Sequence, residues 1–359
     1  MLRGRGTMRW RKCSVLSLFL LSLILPGAWA DPAPKISILI PIHDGESTLS
    51  IAMDSAIGQT LRDIEIICVD DGSTDASREV LERYAADDPR IVLLINEDNC
   101  GTLRARVRAL LASHGDYVLW LDCDDELLPN IAEKTLAVAE STGADVVLFP
   151  LEKVMSDGTV ESPVHWMLQV GPFSGARNGN ELIQLLAEGK ITWNLWNKLW
   201  RGSTARSVAR DLENFAVGRY LLIAEDLLFF WKMAKASLSY AMCPDVGYRY
   251  VIGKGSIATR WTDPIISRQF VSDVSAVAGK ILGDEPDPAM RWKAELVLRR
   301  GERDVLDHIA ALSDNDGSSA FFEYLSAFPL SQQEEVRRAM EQAHPQWYAR
   351  AAATAAEKN

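Results

Sequence analysis

Four acids close the stretch Tyr117-Val-Leu-Trp-Leu-Asp-Cys-Asp-Asp-Glu126, and one residue separates Asp122 from Asp124. The apolar run before them reads as a buried parallel strand, and ligands gather outside the carboxyl ends of such strands. Carboxylates crowded there repel one another and call for a counter-charge; a hard divalent cation bound through oxygen, Mn²⁺ or Mg²⁺, is the usual one. Alternating acids put Asp122 and Asp124 within reach of one cation and a ribose, while Asp125 is free to turn to solvent. A second acidic strand end, Val69-Asp-Asp-Gly-Ser-Thr-Asp75, repeats the arrangement. Local structure explains part of it: Gly72 makes a turn, Ser73 or Thr74 caps a helix, and Asp75 complements the helix's positive end. That account leaves Asp70 and Asp71, where a carboxylate can accept a hydrogen bond from a base edge or a ribose hydroxyl.

Other residues are candidates with plainer readings beside them. Arg104 and Arg108 form a solvated helix face, whereas Arg106 lies off that stripe and suits a phosphate contact. Glu225-Asp226 opens a helix, where acids are favourable without any chemistry. Trp193, Trp196 and Trp200 stand at i, i+3 and i+7, a helical core stripe from which one ring could stack on a sugar. Lys198 sits off that stripe, within approach of a phosphate. Cys68, Cys100, Cys123 and Cys243 show no metal-ligand spacing and read as unpaired thiols.

Positioning these residues requires strand–helix units. Apolar runs at Ile36–Ile42, Ile64–Val69, Ile91–Ile95, Tyr117–Leu121 and Val146–Phe149 alternate with helical segments near 47–58, 74–86, 102–113 and 128–141. The pattern predicts an α/β, doubly wound, mostly parallel sheet with right-handed crossovers. Helical patterning returns near 180–200 and at 225–236, followed by a strand at Val246–Val251 and a loop at Gly253–Ser256. Segments 264–282, 288–312, 318–328 and 332–343 predict a helical C-terminal region over 262–359 without recognisable chemistry. The catalytic domain is expected over 31–261.

Composition sets the remaining bounds. The 359-residue chain carries a formal charge of −11, which argues against a general nucleic-acid binder. Residues 1–30 differ: basic Arg3 to Lys12 precede the apolar Val15–Leu25, then Pro26 and Ala28-Trp29-Ala30. This reads as a signal peptide for export to a periplasm, lumen or medium, or alternatively as an N-terminal membrane anchor.

Taken together, the chain resembles the family 2 glycosyltransferases, which have the Rossmann-like GT-A fold. The resemblance rests on Lys35-Ile-Ser-Ile-Leu-Ile-Pro-Ile-His-Asp44, Ser55-Ala-Ile-Gly-Gln-Thr60, Glu65–Asp75, Asn99-Cys-Gly-Thr-Leu-Arg-Ala-Arg106 and Leu121-Asp-Cys-Asp-Asp125. It continues more weakly through Trp196–Trp200, Ala224–Phe229 and Tyr248-Arg-Tyr to Ile257. It implies that Pro41, Asp70 or Asp71, and Arg106 line a nucleotide pocket, and that Asp122 and Asp124 hold the donor through ribose and metal. By match, Asp226 is the general base. The implied reaction is metal-dependent, inverting transfer from a nucleotide-sugar, a UDP-sugar being the expected donor, to a glycan, lipid-linked or protein acceptor. The chain departs from the family at His43-Asp44, where Tyr-Asn is usual, and at Cys123, where Ser is usual. Two rivals stand beside this reading. One is a non-catalytic sugar- or nucleotide-binding protein of the same fold. The other is a phosphohydrolase of the haloacid dehalogenase type, whose Asp-x-Asp normally follows the first strand.

Overall fold

The computed structural model describes residues 33–252, 264–300 and 330–349, apart from 166, 172, 222 and 346, together with Leu325. The expected export signal or anchor, the 253–256 loop and most of the helices expected at 301–328 lie outside the described residues. Among the described residues no helix is long and apolar enough to cross a membrane.

The chain begins with β1 (Ile36–Ile42), α1 (Leu49–Ile57), β2 (Ile64–Asp71), α2 (Ser77–Asp87), β3 (Ile91–Asn96), α3 (Thr102–Ala112) and β4 (Tyr117–Trp120). Every residue of β1, β2 and β4 is buried, as expected of parallel strands covered on both faces. The helices bury one stripe each; α1 does so with Leu49, Ala52, Met53 and Ala56, spaced at i, i+3, i+4 and i+7. Next come β5 (Glu126–Leu127), α4 (Ile131–Thr142), β6 (Val146–Leu148), β7 (Leu151–Val154), β8 (Val160–Glu161), β9 (Arg177–Asn178) and α5 (Asn180–Ala187). They are followed by β10 (Lys198–Arg201), α6 (Gly202–Ala216), α7 (Glu225–Ala236), β11 (Ser239–Met242) and β12 (Tyr248–Val251).

The main sheet runs β3-β2-β1-β4-β10-β6-β11-β9. Strands β1 to β4 are parallel, and β10 enters antiparallel between β4 and β6. This corrects the helical reading of 193–200. Trp193 lies in a loop, Trp196 in a turn and Trp200 on β10, because the segment fills the gap between β4 and β6 instead of covering a face. A smaller sheet, β5-β12-β7-β8, stands beside it. Beyond it α8 (Pro264–Asp284) packs on α7, α9 (Pro288–Arg300) packs on α5 and α8, and α10 (Leu330–Ala343) follows.

The strand order reverses direction at β1, with β2 on one side and β4 on the other. Such a switch point leaves a crevice at the carboxyl ends, where helices depart to opposite faces. The β1–β4 ladder stops at Leu39–Trp120, and two residues on Pro41 has no N–H to extend it. The crevice is bounded by a tight turn at Gly72, whose φ is 67°. A Cβ at Gly72 would lie 2.5 Å from the Asp98 carbonyl carbon and 2.6 Å from Asn99 N. Gly72→Ala therefore combines left-handed strain with overpacking and should cost about 2–4 kcal/mol. The check is a lowered urea midpoint at unchanged m-value.

Candidate active site

Both acidic strand ends reach this crevice, but their carboxyls are used differently. Asp70, wholly buried, accepts from Ser73 N at 3.0 Å and pairs with Arg78 Nε at 2.9 Å. Asp71 accepts from Asn96 Nδ2 at 2.6 Å, Cys100 N at 3.1 Å and Gly101 N at 2.8 Å. Burial raises the Asp71 carboxyl above its ordinary range, and those donors oppose the shift. The two acids thus hold the 72–78 turn and the 96–101 loop at the crevice wall. The expected cap by Ser73 or Thr74 is not formed: α2 starts later, after Ala76, and Asp75 Oδ1 accepts from Ser77 N at 3.0 Å. Thr74 N instead donates to Asp44 Oδ1 at 2.7 Å. Asp44 takes up the left-handed conformation, φ 51°, so the departure at 43–44 stitches two loops together.

At the end of β4 the three aspartates separate. Asp122 Oδ1 pairs with Arg106 Nη2 at 2.9 Å, while its other oxygen has no protein partner among the described residues and the Asp124 carboxyl meets only its own backbone N–H. Asp124 is exposed, yet the protein ringing it and the charge of Asp122 push its carboxyl up to about 6. Asp125 corrects the expectation that it turns to solvent. It is 1% exposed, accepts from Tyr248 Oη at 2.7 Å and from Val251 N at 2.8 Å, and so fixes β12 beneath the acidic turn. Tyr248 Oη also accepts from Asp122 N at 3.2 Å, and its ring stacks on Trp196 with centroids 4.3 Å apart.

Arg106 joins this turn to α7. Its guanidinium is buried 4.9 Å above the Trp120 ring centroid, and its Nε lies 3.4 Å from Glu225 Oε1. Nη1 has no hydrogen-bond partner among the described residues. Ala224, immediately before α7, is left-handed with φ 65°, a conformation non-glycine residues avoid and one that clusters at functional sites. Asp226 Oδ1 accepts from Leu227 N at 2.8 Å. Burial raises the carboxyls of both Glu225 and Asp226, and Arg106 opposes the rise.

Lys198 is buried on β10, where its ammonium donates to Asn194 O and Asn197 Oδ1, both at 2.6 Å. It also lies 5.4 Å from the Phe230 ring centroid, one turn along α7 from Asp226. Burial lowers it to about 7, with Asp226 opposing. Pro41 lies buried at the crevice floor on β1. The structure thus brings Pro41, Arg106, Asp122, Asp124 and Asp226 around the switch point, with Lys198 behind α7 and Asp70 and Asp71 in the wall. Sequence reasoning missed Glu225 as the partner of Arg106 and Asp125–Tyr248 as a lock; only the quoted Glu-Asp and Tyr-Arg-Tyr segments signalled them.

The residues suit a hard cation. Asp122 and Asp124 offer carboxylate oxygens that no other residue occupies among the described residues, the ligand type Mg²⁺ and Mn²⁺ take. Among the described residues no group of three or more His, Cys, Asp or Glu is arranged around one ion. Magnesium sites that bind nucleotides commonly use one or two carboxylates, with phosphates and water completing the shell.

This crevice, with acids at the β4 terminus and a carboxylate pair opening α7, stands at the switch point of a GT-A-like α/β fold. Residues 37–197 match the family model described as Glycosyl transferase family 2. It is 29% identical over 231 residues to the putative glycosyltransferase EpsH of Bacillus subtilis, covering 64% of each chain. It is 24% identical over 311 residues to the poly(ribitol-phosphate) beta-glucosyltransferase of Bacillus spizizenii, covering 84% of this chain and 46% of that one. The S. aureus TarS 1–349 structure has the same fold at TM-score 0.58 and 18% identity, covering 88% of this chain and 89% of that one. The chain spans 64%, 48% and 32% of the first three curated relatives it matches, less than two thirds of each. The match also sets aside the dehalogenase-type rival, whose motif belongs after a first strand; here Asp122 follows the fourth.

Proposed function

We propose that this protein transfers a sugar from a UDP-sugar to a hydroxyl acceptor with inversion, using a divalent cation held by Asp122 and Asp124. The carrying observation is the set of Asp122 and Asp124 oxygens that no other described residue occupies, tied through Arg106 to the Glu225–Asp226 turn. Relatives named as glycosyltransferases support the reaction class, and the fold shared with TarS, crystallised in complex with UDP and with UDP-GlcNAc, supports the nucleotide.

Asp226 serves as general base. Its Oδ2 takes the proton from the acceptor hydroxyl as that oxygen attacks the anomeric carbon, and the bond to the UDP oxygen breaks on the opposite face. Arg106 orients Asp122. The cation, when bound, offsets charge developing on the departing diphosphate. Asp71, through Cys100 N and Gly101 N, fixes the loop that flanks the nucleotide. The acceptor is a glycan, a lipid-linked sugar or a protein hydroxyl; relatives that act on poly(ribitol-phosphate) and on cholesterol show how widely acceptors vary among similar chains.

Calorimetric titration with UDP and UDP-sugars, with and without Mn²⁺, tests this reading in wild type and Asp124→Ala. The expected result is metal-dependent UDP binding that weakens at least about tenfold in the variant. Equal affinity in chelator, together with no sugar transferred or released by wild type, would favour the non-catalytic binding protein.

A further inference from the structure

We propose that α8, through Asp273, holds the Ala224–Asp226 turn in its working geometry, which makes Asp273 a positioning residue for the transfer. The proposal rests on the reading of Asp226 as base. Asp273 is 1% exposed, although it lies in the region that carried no recognisable chemistry in the sequence. Its Oδ2 accepts from Ile223 N at 3.1 Å, and its Oδ1 accepts from Gln269 Nε2 at 2.6 Å. Ile223 directly precedes Ala224, the left-handed residue with φ 65°. A strained residue persists only where its surroundings over-determine it. A charge-assisted bond to the neighbouring amide is the kind of anchor that does so.

Two further contacts make the grip geometric rather than local. At the other end of α7, Lys235 pairs with Glu285 at 2.6 Å and Lys232 with Asp284 at 2.7 Å. The C-terminal region therefore holds α7 both before its first turn and at its end. Upstream, the 220–221 segment lies against the donor-side loop: a Cβ at Gly101 would stand 3.1 Å from Tyr220 Cδ2 and 3.2 Å from Leu221 O. Gly101 N in turn donates to Asp71 Oδ2 at 2.8 Å. Tyr220 and Leu221 thus stand at the wall beside the nucleotide, and Ile223 to Asp226 lead into the base. Asp273 pins Ile223, where the chain turns into α7.

The test uses the full chain with Asp273→Ala, Asp273→Asn and the double variant Asp273→Ala/Ala224→Gly. Turnover, UDP affinity and amide hydrogen exchange over 220–230 are measured together. Asp273→Ala should lower kcat about 10- to 100-fold, the loss a small misplacement of a reacting group produces. Donor KM and UDP affinity should stay within about twofold, and exchange at 223–228 should accelerate. Asp273→Asn should restore most of kcat, because its amide oxygen still accepts from Ile223 N. Ala224→Gly should recover part of the loss, because glycine adopts this conformation without steric cost. A lowered melting temperature with unchanged kcat would overturn the proposal, and so would a rise in KM alone. Should wild type transfer no sugar, the base reading fails; unchanged exchange in Asp273→Ala would then separately overturn the Asp273 contact.

Discussion

Asp226→Asn should lower kcat about 10³-fold while donor affinity stays within about threefold, the signature of losing a proton acceptor and little else. The amide is isosteric, and its oxygen still accepts from Leu227 N, so the first turn of α7 keeps its bond. What is lost is the ability to take a proton from the acceptor hydroxyl. The same carboxyl shapes the pH profile. Burial raises Asp226 above the usual carboxylate range, while Arg106 and Lys198 hold it down. Transfer needs the ionised form, so wild-type kcat should rise with pH through that elevated value and then level off. In Asp226→Asn this acid limb should vanish from the residual rate. Undiminished turnover, or a limb that persists in the variant, would remove Asp226 from the role. Product analysis by NMR on the wild-type reaction checks the stereochemistry: an inverted anomeric centre is expected, and retention would contradict a single displacement.

The strands that build the crevice were legible because their signals are local. Apolar runs at 36–42, 64–69, 91–95 and 117–121 need no distant partner to read as buried strands, and the observed β1 to β4 fall on them within two residues. The acids that follow them were legible for the same reason. The misread residues are those whose environment is made by remote chain. Asp125 looked like the spare carboxylate of its cluster, yet its partner Tyr248 lies 123 positions on. The Trp193-Trp196-Trp200 spacing fits a helix equally well; β10 exists because an antiparallel strand is needed between β4 and β6, which no local pattern announces. Asp273 shows the same limit: an acid inside a helical pattern reads as a solvated face until Ile223 N is brought to it from 50 positions away.

The acidic clusters also divide by energetic role. Asp70, Asp71 and Asp125 are buried and have their hydrogen-bond needs met by protein donors, so they shape loops. Asp124 and one oxygen of Asp122 are left without a donor from any other described residue, and like charges side by side favour any cation that enters. A fold that satisfies Asp70, Asp71 and Asp125 but leaves Asp122 and Asp124 short of donors concentrates unmet electrostatic demand at the crevice mouth. Arg106 is the only cation paired with Asp122 among the described residues, and it is shared with Glu225.

That sharing makes Arg106→Met the severest test of the architecture. Glu225 is 6% exposed, and its ionised form relies on the guanidinium 3.4 Å away. Removing one partner of a buried ion pair typically costs about 3–5 kcal/mol, because the remaining charge is stranded. The loss should depend on pH in a definite direction. Burial already raises the Glu225 carboxyl in wild type, with Arg106 restraining it; without Arg106 it rises further. A carboxyl raised in the folded state contributes stability at low pH that is lost as pH climbs through its folded value. The variant should therefore keep pace with wild type below about pH 7 and fall progressively behind above about pH 8, where the wild-type Glu225 carboxyl ionises, measured as urea midpoints from pH 5 to about 9.5. Arg106→Lys, which keeps a charge but not the fork that reaches both acids, should lie between the two. A deficit independent of pH would mean that the arginine acts through packing on Trp120 and not through the carboxylates it joins.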